Sequence, residues 1–131
     1  MIPIKDLIGP VKDEATMEIR ETYDPECLHY IVVNKKSQHG YNVKLITDKP
    51  ENSIEPGCKV KVSCNCDNFQ FQWAYVLYVN DGLYNPHRLV LTPPVEKNPN
   101  MIIGACKHIK LALTRKLSHG VQKISKVNGE I

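Results

Sequence analysis

The chain has 131 residues, of which 42% are apolar and 24% are charged. This length and composition are typical of one globular domain with a modest core, and they exclude a disordered chain. The longest uninterrupted apolar run, residues 73–79, is far shorter than the roughly 20 residues that a membrane-spanning helix needs. The first residues lack the apolar stretch of a signal peptide, so we expect a soluble protein that stays where it is made and has no membrane partner.

Charge is distributed unevenly along the chain. Residues 1–58 contain seven Lys and Arg against ten Asp and Glu, whereas residues 59–131 contain ten against four. No acidic residue lies between Lys97 and Lys126. Such a basic segment binds nucleic acid or an acidic protein surface, or it is only a solvated face, and charge alone does not separate these alternatives.

Apolar patterning predicts an antiparallel sheet in the first half of the chain. Residues 28–33 and 41–47 are rich in β-branched and aromatic side chains and flank a polar turn, which is typical of a hairpin. Residues 48–57 contain two prolines and a glycine and predict a loop. Residues 59–62 alternate polar and apolar side chains, as a half-buried strand does. Three strands are the simplest arrangement, while residues 13–22 fit a helix or a strand equally well.

The second half of the chain opens with an ambiguous segment, residues 68–80. Large apolar residues at every second position favour a strand, and a subset of them also fits one face of a helix. The period-two set is Phe69, Phe71, Trp73, Tyr75 and Leu77, and the helical set is Phe69, Trp73, Val76 and Leu77. Residues 85–100 contain four prolines and predict an extended excursion.

A clearer helix is predicted over residues 107–117. Its apolar residues recur at helical spacing, and we expect them to pack on the strand that contains Val60 and Val62. These apolar residues are Ile109, Ala112, Leu113 and Leu117, and the opposite side carries Lys107, Lys110, Thr114 and Arg115. Gly120 is a natural helix end, and the basic residues before it suit the negative end of the helix dipole.

The cysteines point to a metal site. Their number, five, is odd and no secretory signal accompanies them, so a disulfide framework is not expected. One residue separates Cys64 from Cys66, and one separates Cys106 from His108. Structural zinc takes four tetrahedral Cys and His ligands, and a helix start stabilises a thiolate. The sequence therefore predicts that these four residues bind one structural zinc ion.

The remaining cysteines, histidines and aromatic residues have weaker signals. Cys27 and Cys58 are predicted to be core thiols, with a second metal site as the alternative. His29 is predicted in a strand and His39 in a turn, His87 is expected to be exposed in the proline-rich excursion, and His119 suits a helix end. The aromatic residues Phe69, Trp73 and Tyr75 either stack on nucleic-acid bases or, as we expect, form the core around the metal.

The order of these pairs, C-x-C and later C-x-H, resembles the SWIM-type zinc finger, and it is most similar to SWIM-like proteins of tailed bacteriophages. The matching residues are Cys64-Asn65-Cys66-Asp67-Asn68-Phe69, Asn98-Pro99 and Gly104-Ala105-Cys106-Lys107-His108-Ile109. Asp67 and Ile103 stand where such proteins often have proline. The resemblance covers residues 58–117 and implies a helix after the C-x-C pair, so we expect residues 68–79 to be helical.

Together these patterns predict an α+β fold, in which a small antiparallel sheet of about three strands is followed by two helices and a structural zinc site holds them together. Within this single domain, residues 1–57 would form a β-rich part, residues 58–117 the SWIM-like module and residues 118–131 a C-terminal tail.

An enzymatic function is not expected. Three thiolates and one imidazole leave no open position for catalysis on zinc. The sequence contains neither a Ser-His-Asp arrangement nor a phosphate-binding glycine loop, and a Cys27–His29 nucleophile would lack a third residue to orient it. We therefore also expect no small-molecule substrate.

Two functions remain open. The resemblance implies a structural or assembly component of a phage particle, which contacts other phage proteins in the virion after synthesis in the host cytoplasm. The alternative is nucleic-acid binding through the basic residues Lys107, Lys110, Lys123 and Lys126. The isoelectric point near 8.6 is low for a nucleic-acid-binding domain, which favours the structural function.

Overall fold

The fold is described from a computed structural model, which covers residues 1–86 and 92–130, with residues 119–130 by their backbone alone. The strands are β1 (Ile2–Pro3), β2 (Met17–Thr22), β3 (Leu28–Asn34), β4 (Gly40–Thr47) and β5 (Lys59–Cys64). They form one antiparallel sheet in the order β1-β5-β4-β3-β2. Helix α1 (Ala74–Val79) follows the π-helical turn Phe69–Trp73, and helix α2 is Lys107–Glu130.

The α+β class and the predicted hairpin are confirmed. Strands β3 and β4 pair from Leu28 opposite Leu45 to Val33 opposite Gly40. Strand β5 pairs with the other side of β4, and this register places Cys64 opposite Val43. The C-x-C segment therefore begins at the end of a central strand, next to the buried face of the sheet.

Within the described residues the sheet has five strands, and the prediction of about three was too low. Strand β2 is an edge strand in which Met17 is buried, Ile19 is half-buried and the other residues are exposed or nearly so. Since only Met17 and Ile19 of this strand are covered, its alternation is too short to distinguish a strand from a helix. Strand β1 has two residues, too few for any periodicity.

Helix α2 packs across one face of the sheet, against β3, β4 and β5. Ile109 and Leu113 are fully buried in the same core as Val60 and Val62, as predicted. Leu117 is only half-buried, whereas Leu111, which the helical spacing did not include, is buried. The backbone stays helical to Glu130, so Gly120 does not end the helix, and the glycine costs the helix about 1 kcal/mol relative to alanine.

The segment after the cysteines is helical, which decides between the two patterns found in its sequence. The residues of its helical face, Phe69, Val76 and Leu77, are fully buried, and Trp73 packs against them half-buried. Of the two aromatic residues that appeared only in the period-two pattern, Phe71 is half-exposed and Tyr75 is half-buried. Among the described residues, no helix is long and apolar enough to cross a membrane.

Candidate metal centre

The structure brings together the four residues of the C-x-C and C-x-H pairs. Cys64 ends β5, Cys66 precedes the π-helical turn, Cys106 directly precedes α2 and His108 lies in its first turn. The three sulfur atoms and one imidazole nitrogen all lie within 4.8 Å of one another, and all four residues are buried. This Cys3His cluster could hold a metal ion.

The spacing within the cluster fits tetrahedral coordination. The Sγ atom of Cys64 lies 3.7 Å from Nδ1 of His108. In a tetrahedral zinc site with the usual bond lengths, a sulfur and a nitrogen ligand are about 3.6 Å apart. The donor set therefore fits one ion bound by three thiolates and one imidazole.

The thiols influence one another because they are packed together away from water. Hydrogen bonds from Cys106 and then Cys64 lower the pKa of the Cys66 thiol. At Cys64, a hydrogen bond from Cys106 lowers the pKa of the thiol. The bond to Cys66 and burial outweigh this effect and raise the pKa of Cys64 to about 12. Burial, followed by the hydrogen bond to Cys64, raises the pKa of Cys106. Three adjacent buried thiolates require a cation to offset their charge.

The turn that carries Cys64 and Cys66 is held by hydrogen bonds. The backbone N–H of Phe69 donates to Sγ of Cys66 at 3.3 Å, a bond that favours a thiolate. Asn65, which lies between Cys64 and Cys66, joins the turn to β4 by two hydrogen bonds with Asn42, one accepted and one donated. Its side-chain Oδ1 accepts from the Asn42 N–H at 2.8 Å, and its own N–H donates to the Asn42 carbonyl at 3.3 Å. Sequence reasoning missed this bond, because a lone asparagine carries no such signal.

An aromatic stack covers His108. The ring of Tyr41 stacks on the imidazole, with ring centres 4.3 Å apart and the two planes inclined by 27°. The ring of His39 lies 4.7 Å from that of Tyr41 on a tilted plane. These rings line an open depression beside Cys66 and Cys106. Tyr41 was not predicted to contribute to the site, since only the strand register places its side chain there.

Two further positions of the sequence pattern have packing roles. A Cβ atom on Gly104 would lie 2.7 Å from the Trp73 ring, so the ring occupies the space that a larger residue would need. Asn98, 5% exposed, donates from Nδ2 to the carbonyl groups of Ile102 and Gln72, at 2.9 and 3.3 Å. These contacts place the segment before Cys106 against the helical turn after Cys66.

The other candidates lie away from the cluster. Cys27 and Cys58 are buried free thiols, and burial raises the pKa of both. Among the side chains that the structure describes, no second group of three or more metal-ligand residues occurs. His29 bonds to Asn42 through Nε2 at 2.7 Å. His87 and the side chain of His119 lie outside the described residues.

Several basic residues of α2 face the acidic first part of the chain. Lys107 forms an ion pair with Asp13 at 3.0 Å, and Lys116 pairs with Glu21. Arg115 donates to two backbone carbonyl groups near β2. The uneven charge seen in the sequence is thus partly neutralised inside the molecule. The side chains of Lys123 and Lys126 lie outside the described residues.

Comparison with known proteins finds no relative of this chain. No protein-family model, no curated protein and no solved structure matches the chain. The Cys3His cluster depends on the geometry of the chain itself, whereas the SWIM-like interpretation depends on the sequence pattern alone.

Proposed function

We propose that the protein is a non-enzymatic, SWIM-like zinc protein in which one zinc ion is structural and which works through protein–protein contacts. The buried Cys3His cluster is the observation that carries this proposal. Thiolate-rich tetrahedral sites with an imidazole are typical of zinc, and the soft sulfur ligands disfavour magnesium and calcium.

A structural role for the ion is supported by the completeness of its ligand set. Four protein ligands fill a tetrahedral shell, whereas catalytic zinc keeps one position for water or substrate. The ion would also close the long loop of residues 67–105 by joining the end of β5 to the start of α2. Such a metal site contributes strongly to folding, because it exists only in the folded chain and its binding free energy is therefore folding free energy.

Contacts with other proteins are favoured over nucleic-acid binding by the orientation of the basic residues. Lys107 and Lys116 pair with carboxylates of the same chain, and Arg115 is engaged with backbone carbonyl groups. Lys110 forms no ion pair with the described residues. The resemblance to phage proteins supports a place in the virion, as a structural or assembly component made in the host cytoplasm.

The zinc proposal is tested by metal analysis of the purified protein. We expect one zinc per chain, and we expect Co²⁺ substitution to give the intense sulfur-to-metal charge-transfer bands of a thiolate site. Protein that folds without bound metal and does not take up zinc would contradict the proposal. Cys27→Ser serves as the matched control, since Cys27 lies outside the cluster and its loss should leave the zinc content unchanged.

The choice of partner is tested by binding to duplex DNA and single-stranded RNA over a salt series. A nucleic-acid-binding protein would lose affinity with a log–log slope of about −0.9 per phosphate contact on duplex DNA. We expect only weak binding without sequence preference, unchanged by Lys110→Gln combined with Lys123→Gln. Micromolar binding at physiological salt that this double variant abolishes would reverse the choice. A fixed copy number in purified phage particles would support it.

A further inference from the structure

Gln70 lies in the helical turn after the C-x-C pair and is 3% exposed. Its backbone N–H and its side-chain amide each donate to the carbonyl group of a cysteine of that pair. The backbone N–H donates to the Cys66 carbonyl at 3.2 Å, and the side-chain Nε2 donates to the Cys64 carbonyl at 3.1 Å. Any residue except proline could form the first bond, whereas the second needs a side-chain donor of this length.

The stability of the fold alone does not explain an amide at this position. The Oε1 atom of Gln70 is buried and has no hydrogen-bond partner among the described residues. An unpaired buried acceptor costs the folded state free energy, which an apolar side chain of similar length would avoid. The gain from the amide is therefore local and lies in its bond to Cys64.

That bond fixes the orientation of the metal-ligand residues. The Cys64 carbonyl lies on the peptide unit before Asn65 and the Cys66 carbonyl on the peptide unit after Cys66, so holding both limits the rotation of the backbone between them. Asn65 is tied to β4 through Asn42 on the side of the sheet. Gln70 ties the same turn on the side of the helix, and the two attachments together set the direction of both cysteine side chains.

We propose that Gln70 is a positioning residue of the metal centre, which sets the spacing of the Cys64 and Cys66 thiolates by holding the Cys64 carbonyl. This inference rests on the proposed metal site and names the residue that supports it from outside the ligand set. Residues that orient metal ligands typically change metal affinity about 10- to 100-fold when they are replaced.

The test compares Gln70→Met with Gln72→Met in the full chain. Gln72 lies on the same turn and is half-buried, and its Oε1 accepts from Asn68 rather than from a cysteine. Zinc affinity is measured by competition with a chromophoric chelator, and the geometry of the site by the absorption spectrum of the Co²⁺ form. We expect Gln70→Met to weaken zinc binding about 10-fold or more and to shift the Co²⁺ bands. Gln72→Met should change neither.

A second variant, Gln70→Glu, keeps the size of the side chain and removes the N–H donor at neutral pH. We expect it to weaken zinc binding at least as much as Gln70→Met does, and Gln72→Glu controls for the added charge. Unchanged affinity and an unchanged Co²⁺ spectrum in both Gln70 variants would overturn the inference. Failure of both to fold at saturating zinc would also overturn it, because Gln70 would then support the whole fold. Absence of zinc binding in the unaltered protein would instead overturn the metal site itself.

Discussion

Helix α2 is attached to the rest of the molecule in two different ways. At its start, Cys106 and His108 meet Cys64 and Cys66 in a buried cluster. About two turns later, the side chains of Thr114, Arg115 and Lys116 meet residues 9–21 through hydrogen bonds and an exposed ion pair. The other ion pair, between Lys107 and Asp13, lies at the start of the helix beside the cluster. Thr114 shows the second kind of contact, since its hydroxyl group accepts from the Gly9 N–H at 3.1 Å and donates to the Gly9 carbonyl at 3.3 Å.

With a metal bound at the cluster, we expect the two attachments to differ in strength, because they differ in burial and in bond type. Structural zinc sites in small domains bind with about 10–16 kcal/mol of apparent free energy, and much of this is folding free energy. A hydrogen bond between a side chain and the backbone contributes only about 1 kcal/mol net. We infer that the metal end fixes the position of α2, and that the polar contacts further along adjust it.

Loss of a ligand should therefore have the largest effect. We expect Cys64→Ser to abolish stoichiometric zinc binding and to remove most of the stability of residues 58–117, because the metal site and the fold form together. Zinc analysis and thermal unfolding followed by circular dichroism measure both effects. Retention of one tightly bound zinc in Cys64→Ser would show that the ligand set is different.

Lowering the pH should release the metal, because the cluster must lose protons to bind it. Without metal, the pKa of Cys64 is raised to about 12 and burial raises the pKa of Cys106, so both thiols keep their protons near neutral pH. Hydrogen bonds from Cys106 and then Cys64 lower the pKa of Cys66, so we expect this thiol to lose its proton first. Two protons should leave for each metal bound. The apparent affinity should then rise about 100-fold for each unit between about pH 7 and about pH 8.

This pH dependence is measured by chelator competition at several pH values, with the affinity of the chelator corrected for its own protonation. Calorimetry in buffers of different ionisation enthalpy counts the released protons directly. Release of three protons would show that Cys66 is protonated in the metal-free cluster, and release of one would show that Cys64 or Cys106 is already ionised there.

The packing beside the cluster should give an intermediate effect. The Cβ of Gly104→Ala would meet Cζ3 of Trp73 at 2.7 Å, and the indole is also held by a 3.1 Å bond from Nε1 to Oδ1 of Asn68. A rigid ring cannot yield as a flexible chain end does, so we expect a loss of about 1–3 kcal/mol in the free energy of unfolding. Denaturant unfolding of the zinc-loaded protein measures it.

The same substitution in a Trp73→Leu background provides the control. Since the smaller side chain leaves room for the methyl group, Gly104→Ala should cost clearly less there than in the unaltered protein. An equal cost in both backgrounds would show that the strain arises elsewhere, for example in the backbone.

The parts of the molecule that the sequence predicted are those whose signals are local. The hairpin of β3 and β4 follows from two β-branched runs around a polar turn, and the start of α2 follows from helical spacing after Cys106. The four clustered residues could be proposed together because thiols and an imidazole at one-residue spacing have a recognisable chemistry.

The parts that were missed depend on contacts between distant residues. Leu111 is buried because more than one side of α2 is covered, which spacing within the helix does not reveal. Gln70 and Asn65 are ordinary polar residues whose partners are known only once the turn is folded. The basic residues were considered as a nucleic-acid surface, and only the fold places Lys107 beside Asp13.

The smallest expected effect concerns Arg115, about two turns into α2. It tests whether the polar contacts of the helix and its metal cluster act separately. Arg115 donates to the carbonyl groups of Met17 at 3.1 Å and Glu14 at 2.7 Å, so Arg115→Gln should lower the free energy of unfolding by about 1–2 kcal/mol. Arg115→Lys should lose much of this as well, because one ammonium group lacks the planar fork that reaches two carbonyl groups. Zinc affinity should stay within about twofold, since additivity is expected for separate sites. A marked loss of zinc affinity in Arg115→Gln, measured by chelator competition, would show instead that the polar contacts hold α2 in place for the metal.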